Sequence, residues 1–405
     1  MNRPELVIPA GNLEKLRTAF IYGADAVYIG GKEFSLRAYA GNFNMDEMKT
    51  GLELAHQEEK KVYVAVNLFA HNQDITDLPS YLEKLQELEV DAMIIADLGV
   101  LRMANKYAPL IPKTISTQAN ITNYETALMY KELGATRLVL ARELSLEDMQ
   151  EIKEKVDIEL EVFVHGAMCV SYSGRCLISQ FMTGRSANRG ACAHPCRYKY
   201  NLVEERRLQE YYPIEEDGKG VYILNSRDLC LIDYLPKLMD IGIDAFKIEG
   251  RMKSPLYVAS VASTYRNAID RYMLDKTDYT EEEIALWYKE LYKTATRHFT
   301  NGFIDGEEQV LQDIDNEAMS GRTDFSGMVL DYADGMVKVE QRSNFGPGDK
   351  MELLLPSGES KRISIDKIWD EEMNELDRAR HPKQIVSFAS DEETPENTIL
   401  RKIND

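Results

Sequence analysis

The chain has 405 residues, of which 44% are hydrophobic and 29% charged, and its formal net charge is −20. That length admits more than one domain, and the composition is that of a globular protein, not a disordered one. The charge argues against nonspecific nucleic-acid binding over the whole surface, and no apolar run reaches the length of a membrane span. The opening MNRPELVIPAG runs straight into a strand with no basic-then-apolar leader, so the chain reads as soluble and cytoplasmic, with no membrane partner.

Short apolar runs rich in β-branched residues then alternate with longer amphipathic stretches. The runs begin at Leu6, Ala26, Val62, Ala92, Thr114, Arg137, Leu160 and Ala245, which makes eight. They are too short for buried helices and suit strands of a parallel sheet covered on both faces. Gly23, Glu89, Gly134 and Gly242 each stand between a helix-like segment and a strand, as a helix C-cap and turn require. Ser145-Leu-Glu-Asp148 has the form of a capping box. Eight such units predict an α/β fold, a (β/α)8 TIM-like barrel. An open doubly wound sheet is the alternative, but no glycine-rich phosphate loop follows the first strand.

Barrel chemistry sits at the C-terminal ends of the strands. Those ends carry Asn67, Asp97, Gln118, Arg142, Glu143, His165 and Glu249. In a barrel with an apolar interior they form a polar mouth, and His165, Glu249 and Arg142 are its catalytic candidates. Each taken alone is more often a structural hydrogen-bonder. Between the seventh and eighth strands lies an insertion of roughly eighty residues, far longer than an ordinary βα loop. The cysteine cluster that it carries is expected to hang over the mouth. The barrel is assigned to 1–277, with the insertion at 167–244.

Helices are expected over Pro255–Lys276 and Thr280–Arg297, the second within a helical linker at 278–324. From Phe325 the texture changes to short strands separated by turns such as Gly346-Pro-Gly-Asp349, which predicts a small C-terminal all-β barrel domain at 325–405.

All five cysteines fall in the insertion: Cys169, Cys176, Cys192, Cys196 and Cys230. Without a secretory leader they read as metal ligands or redox groups and not as a disulfide framework. Only Cys192 and Cys196 have the short spacing of a zinc knuckle; wider, uneven spacing suits an iron–sulfur cluster, and buried inert thiols are the third possibility. From Val162 to Val203 there is no acidic residue, while Arg175, Arg185, Arg189, Arg197 and Lys199 lie there. This basic island is either a solvated loop that offsets thiolates or a site for an anion.

The segment Glu161-Val-Phe-Val-His-Gly-Ala-Met-Cys169-Val-Ser-Tyr-Ser-Gly174-Arg-Cys176-Leu-Ile-Ser179 resembles the signature of the collagenase-like peptidase family U-32, and Phe246-Lys-Ile-Glu-Gly-Arg-Met-Lys-Ser254 resembles a second hallmark of it. The resemblance extends over nearly the whole chain. It implies oxygen-independent hydroxylation: of the tRNA wobble uridine to 5-hydroxyuridine in one branch, of a ribosomal-RNA cytidine in a second, and in ubiquinone biosynthesis in a third. The size and the C-terminal domain look most like the tRNA branch.

From the ubiquinone branch the resemblance implies a [4Fe–4S] cluster on Cys169, Cys176, Cys192 and Cys230, with Cys196 as the alternate. From the RNA branches it implies prephenate, or a related small carboxylate, as co-substrate. Arg251 and Lys253 follow the eighth strand, where barrels often bind anions, and are the candidates to clamp its carboxylates. Arg185, Arg189, Arg197 and Lys199 are the candidates to meet tRNA phosphates. A partner protein or a homo-oligomer is compatible with this picture. A peptidase would pair a thiol such as Cys169 with His165, or Cys192 with His194. His-Glu-x-x-His and Gly-x-Ser-x-Gly motifs are both absent, and proteolysis leaves the other cysteines unexplained.

Overall fold

The computed structural model describes all residues except 1–2, 33, 35–41, 170, 190, 198–200, 204–210, 214–225, 307–322 and 405; for 197, 201–203 and 211–213 it describes the backbone alone. The apolar runs form β1 (Glu5–Pro9), β2 (Ala26–Gly30), β3 (Lys61–Val66), β4 (Ala92–Ile95), β5 (Lys113–Ile115), β6 (Arg137–Val139) and β7 (Glu159–Ala167). Each pairs in parallel with the next. The insertion adds β8 (Asn201–Val203), β9 (Tyr211–Pro213) and β10 (Asp228–Cys230). The eighth run is β11 (Ala245–Ile248), which pairs in parallel with both β7 and β1 and closes the barrel.

The period of two decides which side chains face which layer. Leu6, Ile8, Val27, Ile29, Val62 and Val64 join the shell between barrel and helices. Val7, Ala26, Tyr28, Tyr63, Ala92, Ile94 and Ala245 form a second cluster, made of strand residues only, inside the barrel. The interior is not apolar throughout, which corrects the expectation. Arg137 pairs with Glu5 at 2.6 Å and with Glu161 at 3.3 Å, and Lys247 meets Glu161 at 2.5 Å. Each of these charges is matched, as burial demands.

The helices are α1 (Leu13–Ile21), α2 (Met45–Gln57), α3 (Asn72–Ile75), α4 (Leu78–Glu87), α5 (Leu98–Tyr107), α6 (Tyr124–Glu132), α7 (Leu146–Lys155), α8 (Ile178–Thr183), α9 (Leu235–Ile241), α10 (Pro255–Asp275) and α11 (Glu281–Tyr292). The capping box at Ser145 and Asp148 starts α7 as the sequence indicates. Gly23, Gly134 and Gly242 have φ of 101°, 91° and 88°, and Glu89 takes the same left-handed role at 55°.

The described residues of the segment expected as a linker, 278–306, pack against the barrel core through Leu291 and Ile304. α11 ends at Tyr292, earlier than expected, and β12 (Phe299–Thr300) pairs in parallel with β10, which runs antiparallel to β7.

Beyond it, β13 (Thr323–Ala333), β14 (Met336–Gln341), β15 (Met351–Leu354), β16 (Ser360–Ile363), β17 (Ile368–Trp369), β18 (Glu375–Leu376), β19 (Ile385–Ala389) and β20 (Ile399–Ile403) form an antiparallel sheet in the order β16-β15-β20-β13-β14-β19-β17-β18. It surrounds its own core of Val329, Val337, Phe345, Leu353 and Phe388, with no ladder joining its two end strands among the described residues. The sheet docks on the barrel's helices. Tyr22 donates to Leu354 O at 2.7 Å and accepts from Ile399 N at 3.2 Å. Arg401, with 0% exposure, grips Glu290 of α11 through bonds of 2.6 and 2.8 Å and reaches Glu352 at 2.8 Å.

Candidate functional site

The first part of the insertion crosses the barrel mouth. It leaves β7, and its next residues dock on the loops that follow β3 and β5. Asn120 Nδ2 donates to Ser173 O at 3.0 Å, and Arg175 Nε donates back to Asn120 Oδ1 at 2.8 Å. Gly174 has φ of 77°, and a Cβ there would stand 3.1 Å from the Phe69 ring and 3.3 Å from Gln118 Cβ. Glycine is therefore needed both for the turn and for the close approach. Farther along, Phe69 N donates to Asn188 O at 3.4 Å, and Arg189 binds Phe69 O at 3.1 Å and Asp74 at 2.9 and 3.2 Å. Residues 173–189 of the insertion are thus held over the mouth.

Beneath it, Asn67 Nδ2 donates to Gln118 Oε1 at 2.8 Å. Gln118 Nε2 and Arg142 Nε are buried with no hydrogen-bond partner among the described residues, so both retain a donor for a bound polar group. Arg142 lies 3.9 Å over the Phe163 ring and donates to Ala167 O at 2.8 Å, which fixes it at the β7 exit. Burial raises the Glu143 carboxyl above its ordinary range. Asp97 is a helix cap: its Oδ1 accepts from Val100 N at 3.0 Å.

Glu249 and His165 adjoin through the backbone, Glu249 N donating to His165 O at 2.8 Å, but their side chains part. Glu249 receives the Tyr28 hydroxyl at 3.3 Å, on the barrel-interior side. The His165 ring instead packs against Phe299, Tyr265 and Tyr257, and its Nδ1 lies 3.3 Å from the Tyr265 hydroxyl. Burial, helped by the charge of Lys253, lowers the His165 pKa to about 3, so the ring is neutral at physiological pH. Arg251 is buried and turned toward Asn42, while Lys253 reaches Thr296 at 3.4 Å and lies 5.3 Å over the Tyr257 ring.

Among the thiols, Cys169 is exposed, while Cys176, Cys192 and Cys196 are half-buried. The Cys192 thiol accepts from His194 N at 3.4 Å. Cys230 sits opposite His165 in the β10–β7 ladder, 1% exposed, with its sulfur 3.6 Å from the Tyr265 hydroxyl. Burial pushes its pKa up to about 12, so it is a protonated thiol. The donor chemistry suits an iron–sulfur cluster, but the geometry does not fit one. Among the described residues no three His, Cys, Asp or Glu side chains are gathered closely enough to hold a metal ion.

Of the expected phosphate contacts, Arg185 is exposed, with Nε bonded to Ala191 O at 3.0 Å. Arg189 is engaged by Asp74, the side chain of Arg197 is not described, and Lys199 lies outside the described residues. The sequence reading missed Phe69, Asp74 and Asn120, which anchor the insertion, and Tyr265, which links Cys230 to His165. No periodicity marks the three loop residues; Tyr265 sits inside an ordinary buried helix.

Two family models match the chain: Peptidase family U32 over residues 11–313 and Peptidase family U32 C-terminal domain over residues 321–401. The chain belongs to peptidase family U32. It is 43% identical to tRNA hydroxylation protein P1 of Bacillus subtilis (strain 168), with 99% of this chain and 95% of that protein covered. It is 35% identical to tRNA hydroxylation protein P of Escherichia coli (strain K12), covering 88% and 87%. It is 32% identical to a 23S rRNA 5-hydroxycytidine synthase of the same E. coli strain, covering 87% of this chain and 53% of that one. Among the described residues of this U32 chain no helix is long and apolar enough to cross a membrane.

Proposed function

We propose that this protein is a tRNA hydroxylase that forms 5-hydroxyuridine at the wobble position without molecular oxygen, in a reaction that requires prephenate. The supporting observation is an insertion whose first part, up to Val203, has no acidic residue and folds across a polar barrel mouth, in a chain whose nearly full-length relatives are named tRNA hydroxylation proteins. An unpaired base is the part of an RNA that can enter such a mouth. Gln118 and Arg142 offer the buried donors that would orient a polar ligand there. An iron–sulfur cluster belongs to the proposal on thiol chemistry alone. The described positions do not present a site for it, and no step is assigned to it.

The test is nucleoside analysis of tRNA from a strain that lacks this protein and any paralogue. Loss of 5-hydroxyuridine-derived wobble nucleosides, restored by the wild-type gene and only in cells that make prephenate, is the expected result. Unchanged wobble nucleosides overturn it. The second reading, a ribosomal-RNA cytidine hydroxylase, is favoured by the 32% identical synthase and predicts loss of 5-hydroxycytidine from large-subunit RNA instead. The peptidase reading gains nothing from His165, whose ring faces Tyr265, Tyr257 and Phe299.

A further inference from the structure

The short helix α8 in the insertion is inside out. Its buried side chain is polar: Ser179 donates to Arg185 O at 2.7 Å and accepts from Ala193 N at 3.0 Å. Two of its three apolar side chains face solvent, Ile178 being half-buried: Phe181 is 85% exposed, and Met182 and the adjoining Leu177 are exposed as well. Tyr172, earlier in the same insertion, is also exposed. A helix with its serine inward and its phenylalanine outward is not explained by folding, which favours the opposite. Apolar side chains grouped on one exposed loop mark a surface that meets something else.

The electrostatic setting names the class of partner. No acidic residue lies between Val162 and Val203, whereas the whole chain carries −20. Arg175 and Arg185, both exposed, flank Leu177 and Phe181 in sequence. Exposed aromatic rings with guanidinium groups nearby in an acid-free segment suit a polyanion with flat apolar faces, which is single-stranded nucleic acid. A neutral apolar ligand would not need the arginines, and a duplex hides its base faces. We infer that Phe181, with Tyr172 and Leu177, forms a stacking platform for unpaired RNA bases beside the barrel mouth, with Arg175 and Arg185 meeting the phosphates. The inference rests on the RNA-hydroxylase reading and adds the surface that holds the unpaired loop.

The test uses the full chain, a labelled anticodon stem–loop and an RNA duplex of equal charge. Phe181→Ala should weaken stem–loop binding about 5- to 100-fold, the effect of one lost base stack, and leave duplex binding unchanged. The slope of log affinity against log salt should stay as in wild type, because no phosphate contact is removed; Arg185→Glu should flatten it. Phe181→Trp should keep the affinity, and its added emission should be quenched by the stem–loop. Circular dichroism should show both variants folded, since the side chain is exposed. Unchanged affinity in Phe181→Ala, without quenching in Phe181→Trp, overturns the platform while leaving RNA binding by wild type intact. Absence of any wild-type RNA binding overturns the platform together with the reading beneath it. A change of oligomeric mass in Phe181→Ala, with RNA affinity unaltered, overturns it in favour of self-association.

Discussion

Arg189 grips Asp74 through two hydrogen bonds, of 2.9 and 3.2 Å, and so fastens the insertion to α3 on the opposite side of the barrel mouth. The guanidinium holds the Asp74 carboxyl below its usual range. A two-point arginine–carboxylate contact resists rotation better than a single charge pair. Arg189→Ala should therefore loosen the insertion without unfolding the barrel. The expected readout is faster hydrogen exchange and proteolysis within residues 171–197, with a global stability loss of about 1 kcal/mol or less. Asp74→Ala should do the same, and the double variant should be no worse than either. Additive effects in that cycle would show that the two side chains act separately.

Arg401 and Glu290 tie the C-terminal sheet to the barrel through two hydrogen bonds. Arg401 is fully buried, so Arg401→Met leaves Glu290 and Glu352 with less compensation and should destabilise the protein by about 3–5 kcal/mol in urea unfolding. Burial pushes the Glu290 carboxyl up, but Arg401 and Lys293 outweigh it and hold its pKa at about 2. A carboxyl depressed when folded binds its proton more readily when unfolded. Its contribution is thus complete above about pH 4.5 and is lost as pH falls toward 2. Wild type should lose stability through that window, and Arg401→Met should lose less. Equal acid sensitivity in the two would sever Glu290 from the effect.

His165 acts in a higher pH window. Its folded pKa is about 3, far below the ordinary histidine value, because burial disfavours the charged ring. Below about pH 6.5 the unfolded chain takes up a proton that the folded chain refuses. Stability should therefore decline as pH falls from about 6.5, by up to about 1.4 kcal/mol per unit from this one group. Melting His165→Phe and wild type between pH 7 and pH 5 checks the point. Parallel curves would mean that His165 is not the buried neutral group described. The same enclosed ring ties β7 to α10 through its contacts with Tyr257 and Tyr265.

The eight barrel strands were legible because strands buried on both faces must be written as apolar runs, and because Gly23, Gly134 and Gly242 mark where helices stop. Charges inside the barrel were not. Glu5, Arg137 and Lys247 stand at or near strand starts, and only closure of the barrel brings Glu5 onto Arg137 and Lys247 onto Glu161. Arg189 had the same difficulty: a basic residue in a basic loop reads as an anion contact until its fold-specific partner, Asp74, is in view. Cys230 shares the insertion with the other thiols, yet β10 lies back along β7 and carries it beside Tyr265. Strand pairing so separates one buried thiol from four that keep some exposure.

That separation can be read by thiol chemistry. The thiolate is the species that alkylates, and at pH 8 a thiol with a pKa of about 12 presents roughly one part in ten thousand of it. In metal-free protein, iodoacetamide should label exposed Cys169 first, then Cys176, Cys192 and Cys196, and leave Cys230 until unfolding. Mass spectrometry of timed samples measures the order. Early labelling of Cys230 would mean that β10 leaves its place beside β7 in solution. Repeating the labelling on anaerobically purified, iron-loaded protein then decides the fourth ligand. A ligand is silent while iron is bound and reacts after chelation. If Cys196 behaves so while Cys230 stays silent in both states, the thiols nearest the mouth suffice. If Cys230 instead becomes reactive on chelation while Cys196 is reactive throughout, iron binding must draw β10 out of the core, away from Tyr265 and His165.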